Sequence, residues 1–189
     1  MKENTTSRYE QTGKTKNMAV IGLMTAVICI IAPFSIPIPV SPVPISLTNF
    51  IIFMAVYILG MKSASICVIL YLLLGAAGLP VFSSFSGGLA KLAGPTGGYL
   101  AGFILLAFIH GFFLEHFPGK KYTAILGMIL GMAVCYTFGT AWLAWQTSQS
   151  FITALTIGVL PYLPGDAVKI IIAAITGPKL RTAARIQRS

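Results

Sequence analysis

Long apolar runs make up most of the chain, and polar residues fall between them as short interruptions. The first run covers residues 18–32 and stops at Pro33. The uncharged segment FSIPIPVSPVPISLTN follows Pro33, and together with it Pro37, Pro39, Pro42 and Pro44 rule out a regular helix. That spacing predicts an extended loop over one mouth of a helix bundle. A second run, about 47–61, and a third, about 64–78, flank the lone Lys62. Residues 79–99 are too rich in glycine for a continuous helix and too apolar for a solvated loop. Backbone of that kind is tolerated at membrane depth only where protein or a watery cavity covers it. Further runs cover about 98–117, 122–145 and a stretch from Phe151 that breaks at 161–165 and resumes through Ile175. The pattern predicts six transmembrane helices in one domain over 18–178. A polar, disordered tail (1–17) precedes it and a basic tail (179–189) follows.

Composition strengthens this reading. The chain of 189 residues is 56% hydrophobic and 9% charged, with a mean hydropathy of +0.86. A soluble domain needs roughly 25% charged residues to cover its surface. The expected fold class is therefore an all-α integral membrane bundle. The net charge of +9 would point to nucleic acid in a soluble protein, but here the bases flank apolar runs. With the N-terminus placed in the cytoplasm, eleven of the thirteen Lys and Arg residues fall in inner segments, only Lys91 is outside, and Lys169 lies within the sixth helix. Such a bias places both termini in the cytoplasm and leaves no role for nucleic acid. Cys29, Cys67 and Cys135 all lie in apolar runs, without the spacing of a disulfide framework or a metal site.

Asp166 and Lys169 carry the most information. Three residues apart, they share one helix face directly after Pro164-Gly165. Ionisable groups inside a span usually face a cavity or a partner, so the two form a self-neutralising pair, a ligand site, or both. Glycines in Gly94-Pro95-Thr96-Gly97-Gly98-Tyr99 permit close approach to the backbone at a helix start, where amide donors are free. Phe82, Phe85 and Tyr99 are candidate apolar walls. The phosphate-loop pattern is absent, His110 and His116 do not share a helix face, and no nucleophile–base pair stands out, so the chain is not expected to be an enzyme. Ala19, Gly22 and Ala26 form a small-residue stripe on the first helix, and Gly127 and Gly131 form another on the fifth.

Taken together, Pro42-Val43-Pro44, Leu79-Pro80-Val81-Phe82, Gly87-Gly88, Gly94–Tyr99 followed by Gly102-Phe103, and Pro164-Gly165-Asp166-x-x-Lys169 resemble the BioY family. These are the biotin-specific S components of energy-coupling factor (ECF) transporters, and the likeness covers about nine-tenths of the chain. The resemblance implies a six-helix S-component fold in the cell membrane, with biotin as transported substrate and no cofactor or metal. Its partners would be a membrane-embedded T subunit and two ABC-type ATPases, since no Walker motif is present here. Asp166 and Lys169 match the family's polar biotin-binding positions. The loop with Phe82, Ser83, Gly87 and Gly88, and the helix start with Thr96, Gly97, Gly98 and Tyr99, match the rest of the pocket. Ala19, Gly22 and Ala26 match the surface that docks on the T subunit. Family members often carry Gln after the Pro-Val-Pro segment; this chain has Leu47-Thr48-Asn49, which makes Asn49 the candidate amide. Lys169 or Lys91 is the candidate cation for the biotin carboxylate. The alternatives are an S component for another vitamin and a stand-alone secondary transporter or facilitator.

Overall fold

The chain is described by a computed structural model covering residues 3–39, 41–117 and 121–186. Its first helix, α1 (Glu3–Ile31), ends where Pro33 denies the ladder an amide. It begins far upstream of the apolar run, so the expected disordered tail is helical from Glu3. Glu, Gln, Lys and Arg are good helix formers, and no proline interrupts the stretch between Glu3 and Met18, although its threonines, asparagines and Gly13 are weaker helix formers. Beyond Pro33 the proline-rich segment is extended, as expected, but it is also paired. Strands β1 (Ser35–Ile38) and β2 (Ser41–Ser46) form an antiparallel hairpin with a bulge between Ile36 and Ile38. Both strands are edges, where a proline without an N–H is tolerated. The fold is therefore helical with one small hairpin rather than wholly α.

Helices α2 (Thr48–Leu59) and α3 (Met61–Ala76) are joined by Gly60 alone. Its φ of +83° is open to glycine, and a Cβ there would lie 2.5 Å from the Glu115 carboxylate. That carboxylate accepts the Met61 N–H at 2.6 Å and so satisfies one free amide at the start of α3. Nine of the twelve α2 residues are buried, which makes this short helix the centre of the bundle. Ile52, Phe53, Ala55 and Val56 are fully enclosed and pack with Leu106, Met128 and Ala173 of the surrounding helices. At about 1.5 Å per residue α2 is shorter than a bilayer core; its neighbours shield its ends.

A loop (77–88), a short helix α4 (Leu89–Ala93) and the long α5 (Gly97–His116) follow. Helix α5 packs against α6 (Lys121–Thr147) through small residues. A Cβ on Gly127 would lie 2.7 Å from Phe113, and one on Gly131 3.1 Å from the Leu106 carbonyl, so the predicted stripe serves packing within the bundle. Helix α7 (Phe151–Gly158) is capped by Ser150, whose hydroxyl accepts the Thr153 N–H. One 3₁₀ turn (Leu160–Tyr162) leads to α8 (Leu163–Ile186). Pro164 is tolerated in the first turn of α8 because the amide it lacks has no helical partner there. Helix α8 continues through Pro178, so most of the segment expected as a basic tail is helical; residues 187–189 lie outside the described residues.

Among the described residues, α5, α6 and the α7–α8 unit are long and apolar enough to cross a membrane. Residues 15–31, α2 and α3 are shorter apolar helices.

Candidate functional site

At one end of the bundle the first turns of α2 and α8 meet beneath the hairpin. Asn49 is the second residue of α2, and Asp166 lies in the first turn of α8. The Asn49 amide donates to Asp166 Oδ1 at 2.8 Å, although 117 residues separate the two. Lys169 Nζ makes a salt bridge to the same oxygen at 2.8 Å, one helical turn further on. It also donates to the Ser46 carbonyl at 2.6 Å and to Asn49 Oδ1 at 3.2 Å. An ammonium group has three donors, and here each has an acceptor. The Tyr136 hydroxyl of α6 donates to Asp166 Oδ2. The result is one network drawn from β2, α2, α6 and α8, with the Asp166 and Lys169 side chains 10% and 13% exposed. Burying an acid and a base is costly unless both are paired and further hydrogen-bonded, and these are.

This network forms the polar side of a narrow recess of about 70 Å³. Tyr99, Phe103, Met132 and Tyr162 supply the apolar sides, and Val43 and Pro44 of the hairpin lie across it. Apolar walls with a few convergent polar groups are the character of a small-molecule site. Tyr99 is fixed by its hydroxyl contact with Thr140 at 3.2 Å and by Gly139 and Gly158, where a Cβ would collide with the phenol. The Tyr162 hydroxyl donates to the Val43 carbonyl and ties the hairpin down, while Lys169 holds the next part of β2 through Ser46. The cover of the recess is thus anchored by two side chains from the segment that forms its wall.

Of the residues singled out from sequence, Asn49, Tyr99, Asp166 and Lys169 come together here. Val43, Pro44 and Phe103 of the quoted motifs join them, and the other candidate residues do not line this recess. Phe82 is fully buried, edge-on to Tyr71 with centroids 5.4 Å apart, in space left by Gly75. Ser83 opens the 3₁₀ turn after it. Gly87 passes against the Leu79 carbonyl, and the Gly88 N–H donates to the Gly75 carbonyl at 2.7 Å. A Cβ on Gly97 or Gly98 would strike the Leu92 carbonyl or Trp142, and Thr96 is buried beside them. Lys91 lies on α4, apart from the recess, where partial burial lowers its ammonium pKa. Ala19, Gly22 and Ala26 all lie on an exposed face of α1, and nothing approaches Gly22 within 4 Å of where a Cβ would stand. Tyr136, Tyr162 and Ser46 were not singled out from sequence. The only advance sign of Tyr136 is a hydroxyl in the middle of an apolar run, which must find a partner.

Among the described residues no group of three or more His, Cys, Asp or Glu side chains could hold a metal ion. The three cysteines are free thiols.

The geometry can be set beside known proteins. The chain is 38% identical to a biotin transporter BioY of Thermotoga maritima over 160 residues, 85% of this chain and 92% of that one. It is 36% identical to a probable biotin transporter BioY of Pyrococcus horikoshii, covering 89% and 98%. In three dimensions it is similar to the crystal structure of the S-component for biotin from an ECF-type ABC transporter. There the TM-score is 0.82 and the identity 34%, over 89% of this chain and 92% of the other. The family model described as the BioY family matches residues 1–186, and this chain belongs to that family.

Proposed function

We propose that this chain is the biotin-binding subunit of a biotin uptake transporter of the ECF type. The observation that carries the reading is the Asn49–Asp166–Lys169–Tyr136 network at the head of an otherwise apolar recess. Biotin has a cyclic urea with two N–H donors and one carbonyl acceptor, a compact sulfur-containing ring, and a carboxylate on an alkyl chain. Asp166 offers acceptor lone pairs for the urea N–H groups, and Asn49 and Lys169 offer donors for its carbonyl. Tyr99, Phe103 and Tyr162 enclose the rings. The carboxylate, at the far end of the alkyl chain from the urea, falls to Lys91 where Lys169 serves the carbonyl, or to Lys169 where Asn49 alone serves it. In either case the ligand exchanges hydrogen bonds with a network already formed, so the polar atoms are not left unpaired in its absence.

The bundle crosses the cell membrane six times with both termini in the cytoplasm, a topology supported by the distribution of Lys and Arg. Helix α2 is the central span and the hairpin faces outward over the recess. The chain has no ATP-binding motif, so energy comes from a T subunit and two ABC-type ATPases, with Ala19, Gly22 and Ala26 of α1 as the docking surface. The bare backbone at Gly22 suits close approach of a partner helix.

The test is equilibrium binding of labelled biotin to purified protein, with unlabelled thiamine and riboflavin as competitors, alongside ATP-driven uptake with and without the coupling subunits. Tight binding displaced by biotin alone, and concentrative uptake only with those subunits, is expected. Displacement by another vitamin would replace the substrate, and full concentrative uptake by the chain alone would replace the mechanism.

A further inference from the structure

A second recess lies back to back with the first, between α6 and α8. Each helix contributes four residues at positions i, i+3, i+4 and i+7, from Ile129 to Tyr136 on α6 and from Leu163 to Ile170 on α8. The two facing stripes make a groove seven residues long, roughly 10 Å of helix axis. Its floor is formed by Ala133 and Ala167, both exposed because nothing covers their methyl groups. Ile129 and Leu163 at its rims are 50% and 46% exposed. Both helices belong to the long apolar units, so these faces front hydrocarbon rather than water.

Two features distinguish this groove from the general lipid-facing surface. Tyr136, Asp166 and Met132 line both recesses, so the partition between polar site and groove is one side chain thick. The polar side chains in the groove, Tyr136 and Asp166, are already bonded to each other. A water molecule needs two to four polar partners to settle, and the groove does not offer them. What fits an alanine-floored, aliphatic-walled channel facing hydrocarbon is a methylene chain.

We propose that a phospholipid acyl chain occupies the α6–α8 groove and forms the outer face of the wall that holds Tyr136 against Asp166. The affinity of the polar site then depends on hydrocarbon packed behind it. The inference rests on the reading of the first recess as the biotin site. Without the chain the Tyr136 ring is free to turn outward, and Asp166 loses a donor that orients it.

The test compares the full chain in nanodiscs of palmitoyl-oleoyl phosphatidylethanolamine and phosphatidylglycerol with the same protein delipidated into a fluorinated surfactant, whose tail mixes poorly with hydrocarbon. Wild type is set beside Ala133→Leu and Ala167→Leu, which fill the groove from within. The expected result is a wild-type biotin Kd about fivefold weaker after delipidation, as for one side chain released to move, and recovered when the lipid is returned. The leucine variants should hold their nanodisc affinity in both media. Equal wild-type affinity in both media, or the same loss in the variants as in wild type, overturns the proposal. Native mass spectrometry supplies a readout independent of biotin: one retained phospholipid fewer on Ala133→Leu than on wild type supports the site, and equal counts overturn it. If no form binds biotin, the substrate reading fails, and the lipid count still decides the groove.

Discussion

Lys169→Met tests whether Asp166 and Lys169 are a structural pair, a ligand site, or both. The substitution keeps the aliphatic stem and removes the ammonium that bridges Asp166, Asn49 and Ser46. At 2.8 Å and an effective dielectric of about 20, the pair attracts by about 6 kcal/mol. Much of that offsets the cost of taking two charges out of water. Removing one partner leaves that cost standing for the other, and breaking such a pair typically destabilises by about 3–5 kcal/mol. Both side chains are only about a tenth exposed here, so solvent does little to relieve Asp166. The double variant Asp166→Asn/Lys169→Met removes both charges and keeps an amide able to bond Tyr136 and Asn49; it should lose about 1 kcal/mol. Thermal unfolding in detergent, followed by Trp142 and Trp145 fluorescence, reads the difference. At about 2–4 °C per kcal/mol for a chain of this length, the single variant should unfold roughly 6–20 °C below wild type and the double within about 4 °C of it. Biotin binding should not follow stability. All variants lose at least one charge-assisted hydrogen bond to the ligand, about 1.5–3 kcal/mol, or roughly 10- to 150-fold in Kd. A double variant as unstable as the sum of its singles would refute the pairing argument. A double variant that is stable and binds biotin as wild type does would refute the site.

Two further outcomes follow from particular contacts. Gly60→Ala should destabilise the bundle by about 1–3 kcal/mol, read as a lower unfolding temperature, because the new methyl must share space with Glu115 at a positive φ. Gly22→Leu should leave biotin binding within about twofold of wild type, since the position is open and α1 supplies none of the recess lining. It should abolish co-purification with the coupling subunits and ATP-driven uptake; retention of both would move the docking surface off α1.

The apolar runs located the helices because one solvent, hydrocarbon, imposes the same demand along each of them. The boundaries moved where other demands took over. Helix α1 starts at Glu3 because its polar turns satisfy their own backbone, and polarity is not itself a signal of disorder. Helix α8 passes through Pro178, and at the preceding Gly177 the Tyr57 ring packs against bare backbone. The hairpin lay hidden because alternating prolines indicate what a segment cannot be, a helix. Pairing depends on β2 meeting β1 in a register that matches serines and isoleucines rather than prolines, and single positions do not encode that.

The candidate site divides along a similar line. Charge in a hydrocarbon-facing chain is conspicuous, so Asp166 and Lys169 could be read directly. Their neighbours follow from counting hydrogen-bonding sites. A carboxylate has roughly four acceptor positions, and one lysine a turn away cannot fill them. Donors must come from other spans, and Asn49 and Tyr136 are where the structure finds them. That count was available from the sequence; which of the hydroxyls and amides would answer it was not, since three separate helices had to be packed first. The glycine motifs say less, for the opposite reason. A conspicuous glycine says that something comes close to the backbone, without saying what. At Gly87 it is the Leu79 carbonyl, at Gly97 the Leu92 carbonyl, and at Gly98 the Trp142 ring, all parts of the protein itself. Gly97 and Gly98 seat the start of α5, from which Tyr99 lines the recess, and substitutions there should impair folding.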